Sequence, residues 1–145
     1  MRRRRPIVIA LLLAVAVVAA FLIWRSRQTP RLVADSGNPG VVAAGRAIYA
    51  ARCAACHGDR LQGQPGWRDG LRAEHPPPPA LDADGFAWHN PDRALVGIIR
   101  HGIVARGMPA FAGEVSDDDI WAVVALMKST WPAQTRQHHD SLNPH

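Results

Sequence analysis

Cysteine is nearly absent from this chain, with two in 145 residues. That scarcity excludes a scaffold built on several disulfides. Large apolar side chains are also few in the C-terminal part. From residue 32 onward, 50 of 114 residues belong to the AVILMFWYC set, but 19 of these are Ala, which leaves 31. Such a core is thin for the length, and a bulky apolar cofactor would fill what side chains do not. No run of residues alternates apolar and polar as a strand would, and no internal repeat is visible. A cationic surface is missing too, although the formal net charge is +5. Seven of the 17 basic residues precede position 32, and the remainder carries 10 basic against 12 acidic residues. A nucleic-acid partner is therefore not expected.

What the N-terminal part has in excess is hydrophobicity. Residues 7–24 form an 18-residue run without a charged or polar side chain. At helical rise this spans roughly 27 Å, close to the hydrocarbon thickness of a bilayer. Arg2, Arg3, Arg4 and Arg5 precede the run, which places residues 1–6 on the cytoplasmic side and exports the rest. The one A-x-A sequence, Ala14-Val15-Ala16, lies in mid-run, and Phe21-Leu22-Ile23-Trp24 continues the apolar stretch past it. The segment thus reads as an uncleaved transmembrane helix at 7–24 in preference to a cleaved signal peptide. Trp24 suits the membrane–water interface. Residues 25–38 read as a linker, punctuated by Pro30 and Gly37.

The exported part, 39–132, is expected to be all-α. Asn38-Pro39 is an N-cap followed by the proline that suits a first helical turn. Val41, Val42, Gly45, Ile48, Tyr49 and Arg52 follow at helical spacing. Gly45 and Tyr49 share a face, and a glycine there admits close approach of another helix. Asn90-Pro91 repeats the start signal and Gly102 supplies a stop, with Ala94, Leu95, Ile98 and Ile99 between them. Ser116-Asp117-Asp118-Asp119 opens a last helix, its acids complementing the helix dipole. Ile120, Trp121, Val123, Val124, Leu126 and Met127 form its apolar stripe. The tail, 133–145, is polar and expected to fray. Between positions 58 and 89 the pattern lapses into a loop of more than 30 residues with four consecutive prolines, 76–79. A loop of that length is unusual unless it wraps something other than protein, and the prolines are either a spacer or a wall.

Cys53-Ala54-Ala55-Cys56-His57 is C-x-x-C-H, the attachment pattern of haem c. Two thiols three positions apart reach both vinyl groups of one haem edge, and the next residue sets an imidazole under the iron. A disulfide across so short a loop would gain little. A thioredoxin-type pair would need a βαβ context, and a zinc site two further ligands. His57 has a second ring nitrogen that needs an acceptor, which the loop near Gln64-Pro65 or the later prolines could offer. For the sixth iron ligand Met108 is preferred, since it sits in the restricted turn Gly107-Met108-Pro109 with no core role. His89 and His101 are weaker candidates, and Met127 reads as packing.

Taken together, Gly45-x-x-x-Tyr49, Cys53-Ala-Ala-Cys56-His57-Gly58, Gly107-Met108-Pro109-Ala110-Phe111 and a terminal helix from Ile120-Trp121 to Lys128 resemble a membrane-anchored class I c-type cytochrome. The resemblance covers roughly 39–131. It implies first and last helices packed at a steep crossing around one covalent haem c, with Gly45 and Tyr49 meeting Val123 and Leu126. It also implies that Cys53, Cys56, His57 and Met108 bind the haem and that His57 and Met108 hold its iron. The segment after the haem motif departs from the familiar short Gly-Pro form. Trp67 and Trp88 either hydrogen-bond the propionates or pack the loop.

A His/Met pair leaves no open coordination position, which favours electron transfer over catalysis. The expected role is a non-enzymatic, single-haem shuttle on the periplasmic side of a bacterial inner membrane. Its partners would be a quinol-oxidising complex and a terminal oxidase or reductase. The alternatives are a haem-bearing subunit of a larger membrane oxidoreductase and a haem-based ligand sensor.

Overall fold

A computed structural model describes residues 4–27 and 33–143. It divides into two compact units, Met1–Arg31 and Leu32–His145. The first is one helix, α1, over Arg4–Arg27. Its side chains at Ile9 and from Leu11 to Ile23 are exposed. Among the described residues no helix is long and apolar enough to cross a membrane. The span expected at 7–24 includes Ile7, Val8, Ala10 and Trp24, whose side chains lie outside the described residues, as do 1–3 and much of the linker, 28–32.

The second unit contains α2 (Pro39–Arg52), α3 (Ala54–His57), α4 (Asp92–His101), α5 (Asp117–Ser129) and α6 (Ala133–Asp140). Short 3-10 turns lie at Asp69–Arg72, Ala87–His89 and Val104–Arg106. Among the described residues the extended pairing is confined to two isolated bridges, Ile103 with Met108 and Ala112 with Val115. The all-helical class read from the sequence is the one observed.

Helix α2 starts where its cap sits. The Asn38 Oδ1 accepts from the Gly40 and Val41 amides at 3.0 and 3.3 Å, and Pro39 occupies the first turn. Helix α5 is capped by Ser116, whose Oγ accepts from the Asp119 amide at 3.2 Å and donates to the Asp119 carboxylate at 2.7 Å. The start of α4 differs from the sequence reading. Pro91 is its N-cap residue and Asp92 its first position, while the Asn90 side chain turns back to the Phe86 carbonyl. Proline makes no side-chain cap, and the Asp92 carboxylate is engaged deeper in the domain.

The main packing contact is α2 on α5. A Cβ built on Gly45 would overlap the Ala122 carbonyl and press on the Val123 amide, so the two backbones touch at the site the lone glycine marked. Tyr49, one turn on, is 2% exposed and donates from its hydroxyl to the Gly58 carbonyl at 2.7 Å. Burial first, and then the negative charges of Cys53, Asp59 and Asp82, push its phenol well above the usual range. The expected stripe on α5 proves to be a whole buried helix: every residue from Ile120 to Lys128 is buried. Its flanks are covered by α2, by α4 and by the segment that follows it.

That segment corrects the sequence reading most. The tail expected to fray forms α6, with His139 at 0% and Asn143 at 5% exposure. Its polar residues meet polar partners inside the domain, which composition alone does not reveal.

Candidate functional site

The C-x-x-C-H motif occupies a helical break. Cys53 ends α2, its amide still bonded to the Tyr49 carbonyl at 2.8 Å, and its own carbonyl receives the amides of Cys56 and His57 at 3.1 and 2.9 Å. One turn of helix thus sets positions i, i+3 and i+4 on the same face. Cys53 is half-buried, Cys56 exposed and His57 half-buried. Burial pushes the Cys53 thiol above its ordinary range.

The long loop returns to this turn. Gly63 donates to the His57 carbonyl at 2.8 Å, Gln64 to the Pro78 carbonyl at 3.0 Å, and Leu81 to the Leu61 carbonyl at 2.7 Å. Gly63 has φ 74°, and a Cβ there would run into the backbone of Pro79 and Ala80. The four prolines are therefore held flat against the residues that follow the motif, and they form a wall.

This arrangement settles the imidazole's second partner. His57 Nδ1 lies 2.8 Å from the Pro79 carbonyl oxygen. A carbonyl only accepts, so Nδ1 carries the proton and Nε2 keeps its lone pair. Burial pushes the His57 pKa down, against the opposing effect of that hydrogen bond, a direction that favours the neutral form a metal ligand needs. The other candidate acceptor region is used differently: the Gln64 side chain donates to the Cys56 carbonyl at 2.8 Å and closes the end of α3.

Facing the motif is an apolar cavity of about 320 Å³, within the usual range of small-molecule sites. Cys53, Cys56 and His57 line it together with residues 76–79 and Leu81, Leu95, Ile98 and Ile99 of α4, and Val123 and Met127 of α5. Ile103, Met108, Pro109 and Phe111 complete it. The Met108 backbone is pinned in both directions to Ile103, donating at 3.2 Å and accepting at 3.0 Å, so the thioether is carried on a closed loop instead of a free one.

All four expected site residues, Cys53, Cys56, His57 and Met108, thus meet on one cavity. His89 and His101 are exposed and lie off its walls, as does His75. Met127, expected to be packing, is 2% exposed and also lines the cavity. Trp67 and Trp88 do not line it. Trp67 packs its ring edge-on against Phe86 at 5.5 Å, and Trp88 stacks on His89 at 3.6 Å with its indole N–H buried and unpaired among the described residues. Arg52 and Arg106, which sequence reasoning passed over, stand at the cavity; Arg52 is 3.6 Å from Glu114. Two thiols, a neutral imidazole with one free lone pair and a thioether, in an otherwise greasy slot, suit a flat apolar macrocycle with iron at its centre. Among the described residues there is no cluster of three or more His, Cys, Asp or Glu side chains to hold a bare ion.

A helical domain that closes one apolar cavity over a C-x-x-C-H turn is a c-type cytochrome domain. By sequence the chain belongs to the family described as cytochrome C oxidase, cbb3-type, subunit III, whose profile matches residues 40–127. It is 31% identical over 114 residues to the Cbb3-type cytochrome c oxidase subunit FixPc of Rhizobium leguminosarum bv. viciae, covering 77% of this chain and 33% of that one. It is 35% identical over 92 residues to a thiosulfate dehydrogenase of Stutzerimonas stutzeri (strain A1501), covering 61% of this chain and 27% of that one. The chain therefore spans about a third or less of the length of these curated relatives. No solved structure matches it significantly. Membership of the family makes this a protein that binds haem c covalently, and an electron-transfer protein by class.

Proposed function

We propose that the protein is a membrane-tethered, single-haem electron shuttle on the periplasmic side of a bacterial inner membrane. Cys53 and Cys56 would form the thioether links, and His57 Nε2 and Met108 Sδ would hold the iron. The observation that carries this reading is the His57 hydrogen bond to Pro79 on a cavity that Met108 also lines. One nitrogen is held by the protein and the other is left for a metal. When bound, haem c supplies one reversible electron. The protein's share would be to present the imidazole and the thioether, exclude water with apolar walls and favour ferrous iron with the soft thioether. With both side chains on the iron no coordination position would stay open, so in this reading the role is electron transfer and not catalysis.

The tether in this reading is the apolar run at 7–24 with Arg2, Arg3, Arg4 and Arg5 before it. It confines the domain to two dimensions, and the linker after it gives reach toward a quinol-oxidising complex and a terminal oxidase or reductase. A second reading, a haem-bearing subunit of a larger oxidoreductase, is favoured by the name of the Rhizobium relative, an oxidase subunit about three times as long as the match. Solubilised membranes distinguish the two. A shuttle purifies alone, with covalent haem visible on a denaturing gel and Arg2, Arg3, Arg4 and Arg5 present at the mature N-terminus. A subunit co-purifies with other chains in fixed stoichiometry. Absence of covalent haem, or its persistence in the Cys53→Ser and Cys56→Ser variants, refutes the site assignment.

A further inference from the structure

Outside the cavity the domain buries a second set of polar groups. Asp92 is 0% exposed. Its Oδ2 accepts from the Ala34 amide at 2.7 Å and from Lys128 Nζ at 2.9 Å. Its Oδ1 lies 2.7 Å from His139 Nε2, and its amide donates to Asn143 Oδ1 at 2.8 Å. His139 Nδ1 is 3.0 Å from the Trp88 carbonyl. Both neighbours of the imidazole are oxygens, one of a backbone carbonyl and one of a carboxylate. Lys128 also meets Asp140 at 3.0 Å. Lys128 thus bridges the two carboxylates.

These bonds end on the back of the haem cavity. Phe86, Ala87, Asn90 and Leu95 line it, while the Trp88 carbonyl and Asp92, on the same stretch of chain, are gripped by His139. Leu81 lines the cavity as well, and its carbonyl accepts from Trp131 Nε1 at 3.0 Å; the Trp131 ring meets the His139 ring edge at 4.8 Å. Buried ion pairs add little net stability over apolar residues of the same size. What this set does supply is direction: His139 holds the Trp88 carbonyl, Trp131 the Leu81 carbonyl and Asn143 the Asp92 amide.

We propose that α6 is a buttress of the haem cavity and that His139 is a positioning residue, fixing the wall at 86–95 through the Trp88 carbonyl and the Asp92 carboxylate. The proposal rests on the haem reading of the cavity. Removing His139 frees two wall groups at once, admits water to the haem and lowers its potential, since exposure favours ferric iron. It also lets the wall open to outside ligands.

The test uses the full-length, haem-loaded chain with His139→Phe, His139→Gln, whose single amide nitrogen replaces the two ring nitrogens, and Gln137→Ala, an exposed change on the same helix. For His139→Phe, imidazole binding to the ferric protein should tighten about tenfold, the factor one charge-assisted hydrogen bond carries. The potential should fall, and amide exchange at 86–95 should quicken. His139→Gln should lie between this variant and the wild type, and Gln137→Ala should match the wild type. A potential and an imidazole affinity unchanged in His139→Phe, with a lower melting temperature, overturn the proposal and leave the cluster a stabilising element. Should the Phe variant fail to accumulate, the same two unchanged readings in His139→Gln overturn it. Covalent haem is measured on every sample. Its absence from the wild type defeats the haem reading, and amide exchange at 86–95 then decides the buttress by the same comparison.

Discussion

Gly45 and Gly97 offer the same substitution with opposite expected signs. Both are helical, Gly45 in α2 and Gly97 in α4. Replacing an interior helical glycine by alanine gains about 1 kcal/mol when nothing opposes it. At Gly97 nothing lies within 4 Å of the added Cβ, so Gly97→Ala should stabilise by roughly that amount. At Gly45 the added carbon overlaps the Ala122 carbonyl, a backbone group that cannot rotate away. Helix α5 must then move, and overpacking of this kind costs about 1–3 kcal/mol or more, which exceeds the propensity gain. On α5 the neighbouring Val123 and Met127 line the haem cavity, so the displacement should also perturb the haem spectrum. Thermal unfolding of the two haem-loaded variants, followed by far-ultraviolet circular dichroism, reads both signs. At roughly 4 °C per kcal/mol for a domain of this size, Gly97→Ala should melt a few degrees higher and Gly45→Ala several degrees lower. A Gly45→Ala protein that melts at or above the wild-type temperature refutes the close α2–α5 contact.

Three further outcomes are expected. Met108→Ala should lower the potential and open the iron to cyanide or imidazole; a variant that keeps the wild-type spectrum refutes the ligand assignment. Burial works to raise the Asp92 pKa, but hydrogen bonds from His139, the Ala34 amide and Lys128, with the Lys128 charge, outweigh it and hold the carboxyl below its ordinary range. A depressed folded pKa stabilises above the unfolded value, about 3.9, and that stability is lost as pH falls through the folded one. The contribution of the Asp92 carboxylate to the stability difference between wild type and Asp92→Asn should therefore be complete above about pH 4 and shrink below it, as measured by urea unfolding across pH. Tyr49 is the single tyrosine, so ultraviolet titration reads it alone. Its folded pKa is raised, so folding is favoured fully below about pH 10 and progressively less above it. Tyrosinate absorbance should appear with alkaline unfolding, not ahead of it.

Much of this protein was legible along the chain because the signals act within one helical turn. Asn38-Pro39 and Ser116 cap the helices they precede, since a cap binds amides two or three positions on. Cys53, Cys56 and His57 share a face for the same reason, and Gly45 announces the helix crossing by lacking a side chain. What the sequence could not assign joins residues far apart. The acceptor for His57 is a backbone carbonyl 22 positions on, and a carbonyl has no residue type to read. The flat wall at 76–79 depends on Gly63 and Gln64 meeting it across the loop. His139 lies in the tail expected to fray, and Lys128 ends the terminal helix as read from the sequence. Each is buried because Asp92, 47 and 36 positions away, stands where its charge can be met. Local chemistry determined which residues could bind the haem and where the helices begin. The long-range pairing of buried polar groups, whose desolvation only a complete set of partners offsets, was decided by the tertiary structure alone.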